Sequence, residues 1–220
     1  MGRHSKVHSA STAAPAKTRT EKAAERSAAI VIAALAEFSE KGFAAARMED
    51  VARRAGVAKG TIYLHFKDKQ ALFEGILLQV ITPTIAALEH GVAAGESALA
   101  LFKGLLPLIR DIDSSPRGDV IRLLISEGAR FPELTETHYR VVIERGLAAL
   151  KKVAQRAVDR GEMRSDALVR FPQLLSAPLL MGIIWTSLFG RFQALDIEAM
   201  YDAYIDLLFQ DAPRPGNPPS

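Results

Sequence analysis

The sequence predicts an all-α protein, and three observations carry that prediction. Apolar residues make up 49% of the chain, with alanine and leucine abundant. Alternation of β-branched and polar residues, the pattern of a half-buried strand, is scarce. Apolar side chains recur instead at helical spacing from Glu21 to Phe209, in stretches punctuated by glycine and proline. With 220 residues, 24% of them charged, the chain can build one large core or two domains.

Residues 1–20, MGRHSKVHSASTAAPAKTRT, are small, polar and basic with no acidic side chain. They read as a disordered tail; the alternative is an arm reaching into a minor groove. No apolar core follows the charged start, so the segment is not a secretory signal. A first long helix is expected over residues 21–41, with Ile30, Val31, Ala34, Leu35 and Phe38 on one face and Lys41-Gly42 as its stop. Phe43 is expected to fold back into the core of that helix.

Residues 48–73, MEDVARRAGVAKGTIYLHFKDKQALF, organise the rest. Met48, Val51, Ala52 and Ala55 share a face, Gly56 stops that helix, and a second amphipathic turn from Lys59 buries Ile62 and Phe66. Two short helices, a glycine turn and a small residue at the crossing make a helix-turn-helix. The second helix would expose Lys59, Thr61, Tyr63 and His65, side chains suited to phosphates and base edges, with Lys67 and Lys69 just beyond. Two short helices meeting in an all-α core, with a solvated basic face, are the plainer alternative.

The charge distribution fits the first reading. Residues 1–80 hold 13 Lys+Arg against 8 Asp+Glu, and the remaining 140 hold 15 against 17. A basic third beside a slightly acidic body suits a polyanion-binding module. Cysteine is absent, which excludes disulfides, thiolate metal sites and thiol redox sensing, and fits the cytoplasm.

A fourth helix is expected over residues 69–91, kinked or broken at Pro83. Helices follow over residues 96–111, 118–130 and 131–160, with a loop at Asp113 to Pro116. Residues 171–190 carry no charge for 20 positions, long enough to span a bilayer. Two prolines and several polar residues favour a buried helix instead. A last helix is expected over residues 197–209, and the proline-rich end, residues 211–220, as a disordered tail. No metal-ligand set, phosphate loop or nucleophile motif stands out, so neither metal, cofactor nor enzyme activity is expected.

The run Gly56-Val57 … Lys59-Gly60-Thr61-Ile62-Tyr63 … His65-Phe66-Lys67 … Lys69, preceded by EKGF and MEDVA, closely resembles the DNA-binding domain of tetracycline-repressor-like (TetR/AcrR) transcription regulators over residues 20–80. The resemblance implies DNA contacts by Arg47, Thr61, Tyr63, His65 and Lys69, with Lys59, Gly60 and Lys67 in the same surface. Two positions depart from the family: Ala46 and Ala58 stand where it often has a capping hydroxyl. The stretch RLLISEGARFPELTETHYR, with RGEMR after it, resembles more loosely the C-terminal half of one branch.

The organisation implied is a three-helix DNA-binding domain at residues 21–67 and a larger helical effector-binding and dimerisation domain at residues 68–210. The last two helices would pack against a second copy as a four-helix bundle, away from any membrane. The partners expected are a double-stranded DNA operator, a small-molecule effector and a second copy. The function implied is repression relieved by effector; an architectural DNA-binding protein without effector control is the alternative. Phe102, Leu106, Leu124, His138, Tyr139, Met181, Trp185 and Phe189 are the candidate pocket lining, and each is equally readable as core.

Overall fold

The computed structural model describes residues 18–209, and among them it is helical throughout, with one isolated bridge between Met163 and Phe209. The expected tails at residues 1–17 and 211–220 lie outside the described residues. Thr18 to Thr20 do not belong to a tail. Thr18 caps the first helix, α1 (Arg19–Ala45), accepting from the Glu21 amide at 3.2 Å while Glu21 accepts from the Thr18 amide at 2.7 Å. This reciprocal capping box starts the helix two residues earlier than periodicity alone suggests. Gly42, at φ 76°, breaks the helical path near the end of α1. The break turns Phe43 inward, edge-on to Phe38 at 5.2 Å and to Phe131 at 5.4 Å.

Helix α2 (Met48–Arg54) buries Met48, Val51 and Ala52. It closes on Gly56 at φ 68°, where the Val57 amide reaches Ala52 O at 3.0 Å and the Gly56 amide reaches Arg53 O at 3.2 Å. That pairing closes a helix through a left-handed glycine. Helix α3 (Lys59–His65) follows and buries only Ile62. The N-cap of α2 is Arg47, not Ala46, which is buried at the end of α1; Ala58 is the N-cap of α3, and neither Arg47 nor Ala58 makes a side-chain cap.

Helix α4 runs from Lys69–Ile76 through a π-helical turn, Leu77–Ile81, into Thr82–Ala94. The disruption expected at Pro83 thus lies in the turn before it. Pro83 has no amide to give the preceding turn and its ring would crowd it, so the chain widens first. The Thr82 amide reaches back to Leu77 O.

Next come α5 (Ala98–Lys103), α6 (Leu106–Arg110), a 3-10 turn (Ile112–Ser114) and α7 (Pro116–Glu127). The single helix expected over residues 96–111 is therefore two, because Pro107 opens α6 and supplies no amide to α5. At the break the Phe102 carbonyl accepts from the Leu105 amide at 3.0 Å and from the Tyr201 hydroxyl at 2.8 Å. Burial pushes the Tyr201 phenol above its ordinary range. Tyr201→Phe is expected to cost about 1 kcal/mol in a urea titration, the worth of one buried hydrogen bond whose acceptor keeps another partner.

Helix α8 continues from Pro132–His138 through a π turn, Tyr139–Ile143, to Glu144–Asp159. It leads to α9 (Ala167–Arg170), a 3-10 turn (Pro172–Ser176), α10 (Ala177–Phe189) and α11 (Ile197–Leu208). Apolar packing forms two clusters. One joins α1, α2, α3 and the first half of α4 to Val120 and Leu123 of α7 and Leu134, Val141 and Val142 of α8. The other joins the end of α4 to α5, α6, the last turns of α8, α9 and α11. The first cluster runs straight across the boundary between residues 67 and 68.

Candidate nucleic-acid interface

With Ile62 as its only buried residue, α3 presents nearly its whole length outward. Lys59, Gly60 and Tyr63 are exposed, and Thr61 and His65 are half-buried. Leu64 is 86% exposed. Sequence reasoning missed Leu64, because an apolar residue beside Tyr63 reads as core until the helix's one buried position is known. Exposed apolar side chains on such a helix suit thymine methyl groups. Arg47 is exposed ahead of α2 and Lys67 beyond α3.

Three of the expected cations already have partners, Lys67 the loosest of them, 3.9 Å from its exposed neighbour Asp68. Lys59 pairs with Glu49 of α2 at 2.8 Å, which holds the Glu49 carboxyl below its ordinary range and the Lys59 ammonium above its own. Both side chains are largely in solvent, so a phosphate can compete with this pair. Lys69 differs. Its ammonium donates to Phe43 O at 2.6 Å and Ala44 O at 3.0 Å, and lies 4.8 Å from the Phe43 ring centre. Those carbonyls are left over where Gly42 breaks α1, and Lys69 closes them; burial lowers its pKa. Lys67→Ala is therefore expected to flatten the salt dependence of DNA binding by about one unit in a log–log plot. Lys69→Ala is expected to act chiefly through the melting temperature.

A charged network fixes α2 against α1. Glu37, 2% exposed, contacts Lys41 at 2.5 Å and Arg54 at 3.3 Å. Lys41 also meets Asp50 at 3.2 Å, Asp50 meets Arg53, and Arg54 makes a two-pronged contact with Glu40. On the other side the Phe66 ring lies over Gly75 of α4, so close that an added Cβ there would stand 2.5 Å from it. The helix before α3 and the residue after it are thus both fixed to their neighbours, which gives the docking face a rigid mount.

The eight candidate pocket residues are not brought together. Phe102 is fully buried against Phe209, their rings 5.8 Å apart, and Leu106 packs on the same distal cluster. Leu124 packs on the other cluster, Tyr139 is 58% exposed, and Met181 and Phe189 face outward from α10. Half-buried Trp185 donates to Gln193 O at 3.0 Å. None of the eight lines either of the two principal clefts. One, of about 640 Å³, lies between α1, α7 and α10; the other, of about 380 Å³, lies between α4, α5 and α7.

Burial depresses the His138 imidazole from 6.5 to about 4, and its Nδ1 has no partner among the described residues. The unfolded chain protonates His138 below pH 6.5 and the folded chain does not until about pH 4. Stability is therefore full above that window and falls through it, by up to about 3 kcal/mol. His138→Leu should remove that share of the acid slope in urea titrations run at successive pH values.

The N-terminal part matches the model of bacterial regulatory proteins of the tetR family over residues 30–76, and residues 101–206 match the tetracyclin repressor-like C-terminal domain. The HTH-type transcriptional regulator SrpR of Pseudomonas putida is 24% identical over 198 residues, 90% of this chain and 91% of that protein. The HTH-type regulator UidR of Escherichia coli K12 is 25% identical over 158 residues, 70% of this chain and 78% of its own. Among solved structures, the SmeT–triclosan complex, SmeT being the repressor of the Stenotrophomonas maltophilia efflux pump SmeDEF, superposes with a TM-score of 0.71 at 21% identity, covering 89% of this chain and 98% of SmeT. NalD, the secondary repressor of the MexAB-OprM multidrug efflux pump in Pseudomonas aeruginosa, gives 0.67 at 22% identity, covering 86% of this chain and all of NalD. These two structural likenesses show the fold.

Proposed function

The chain belongs to the tetR family of bacterial regulatory proteins and is a DNA-binding transcriptional regulator; from that premise we propose that it acts in the cytoplasm as a homodimeric repressor, leaving a pseudo-palindromic operator when a small molecule binds its body. Two copies of α3 enter successive major grooves on one face of the duplex. Thr61, Tyr63, Leu64 and His65 meet base edges, while Arg47, Lys59 and Lys67 meet phosphates. The observation carrying this reading is the outward face of α3, held on a rigid mount and spending only Ile62 on the core.

The second copy is supported by α10. Leu180, Met181, Ile184, Leu188 and Phe189 are 38–59% exposed on a helix without a charged residue, and Leu207 of α11 is 72% exposed. A charge-free surface of this size calls for cover. The helix that sequence reasoning expects to be buried is buried only when a partner supplies that cover. Leu188→Glu is expected to yield monomers in sedimentation and to abolish operator binding, since one half-site alone holds weakly. Wild-type behaviour in both would remove the dimer reading.

Selecting bound fragments from the source genome tests the whole. A shared palindromic motif, bound about 10³-fold or more tighter than random duplex, supports the regulator. Equal affinity for all sequences would instead favour an architectural role.

A further inference from the structure

The smaller cleft carries a chemical preference. Its lining is mostly apolar: Ala87 and Leu88 of α4, Ala100 and Leu101 of α5, and Leu105 and Leu108 beyond. Two residues of that lining, Arg117 and Thr84, each carry a hydrogen-bond donor, Nε and Oγ1, that is cut off from water and has no partner among the described residues.

Both are exceptions to the habits of their neighbours. Arg122, one turn along the same helix, pairs with Asp113 and Asp119; Arg110 pairs with Glu198, and Arg156 donates to the Val92 and Glu96 carbonyls. Arg117 makes no such contact among the described residues. A helical threonine commonly returns its hydroxyl to the carbonyl four residues back, as Thr82 does to Leu78 at 2.6 Å. Thr84 does not. Buried donors without acceptors are costly, and a guanidinium fork matches a carboxylate in plane. The other charged residue of the lining, Glu96, is exposed, so water screens its carboxylate.

We propose that this cleft is the effector site and takes an apolar carboxylate, its head drawing the buried Arg117 and Thr84 donors round to meet it and its tail lying along the leucines and alanines. The inference rests on the effector reading above and adds the site and the ligand class. The placement also accounts for a response. Pro83 and Thr84 line the cleft and belong to the first turn of α4 after its π-helical turn, so a head group drawing on Thr84 acts on the least regular part of the helix whose start holds Phe66 and α3.

The test uses the full chain and three probes of one tail length: decanoate, 1-decanol and decyltrimethylammonium. Calorimetry measures binding, and fluorescence anisotropy measures operator release. Decanoate is expected to bind at least tenfold tighter than the other two. Arg117→Gln should lose at least tenfold for decanoate alone, Thr84→Val should lose less, and Arg117→Lys should retain part of the affinity. Circular dichroism confirms that each variant is folded. Decanol or the ammonium binding as well as decanoate, no binding of decanoate, or undiminished decanoate binding by Arg117→Gln would each overturn the site. Arg117-dependent binding of decanoate without operator release would keep the site and remove the effector reading. An effector whose release activity is indifferent to Arg117→Gln would do the reverse.

Discussion

Tyr63→Ala is expected to weaken operator binding about ten- to hundredfold per half-site while leaving the melting temperature and the dimer unchanged. The separation follows from the packing of α3. Ile62 holds the helix to the core, whereas Tyr63 is 44% exposed and belongs to neither apolar cluster. Removing its ring takes from the fold only a contact with the exposed Glu49 carboxylate, and removes a hydroxyl and an apolar body from the reading face. Anisotropy titrations against the selected operator, beside thermal melts, check both halves. Retained affinity would reject this face as the one that reads DNA.

Glu37→Ala is expected to cost about 3 kcal/mol of stability, with operator affinity falling as α2 loosens from α1. Glu37 is the one nearly buried member of its network and the only one touching both Lys41 and Arg54. Without it, those two cations keep only their outer partners, Asp50 and Glu40. Because both cations reach solvent, the loss belongs at the low end of the range for broken buried pairs. A loss below about 1 kcal/mol in a urea titration would demote the network to surface decoration. Acid is the network's weak direction. Arg54 holds the Glu40 carboxyl low, and Lys41 and Arg53 hold the Asp50 carboxyl low. Their contribution is present above the ordinary carboxylate range and is lost as pH falls through their lowered values.

The parts legible in the sequence were those fixed by local rules. Gly56 ended α2 and Gly42 interrupted α1 because a left-handed residue is a property of the chain itself. Ile62 announced the buried side of α3 by spacing. The capping box at Thr18 and Glu21 obeys a local rule too, a Thr followed three residues later by Glu, yet Thr18 reads as part of the tail. What stayed hidden depends on distant partners. The carbonyls of Phe43 and Ala44 that hold Lys69 lie some 25 residues away, so a lysine beside the motif looked like a phosphate contact. Phe102 and Tyr139 have similar apolar character in the sequence, yet one is sealed in the core and the other 58% exposed. Arg117 and Thr84 stand out only because of contacts they lack, and an absence has no periodicity.

The apolar cluster that joins the reading head to the body has a kinetic consequence. Ile30 and Phe38 of α1 share packing with Phe73 of α4, Val120 of α7 and Leu134 of α8. Amide protons in these helices should therefore exchange with deuterium as one set, since none can open without uncovering the others. A fragment cut at residue 67 would lose Leu72, Phe73, Ile76 and Leu77 from that set and should exchange throughout like an open chain. The distal cluster around Phe102 and Phe209 is a second set. It can breathe on its own clock while the end that holds DNA stays closed.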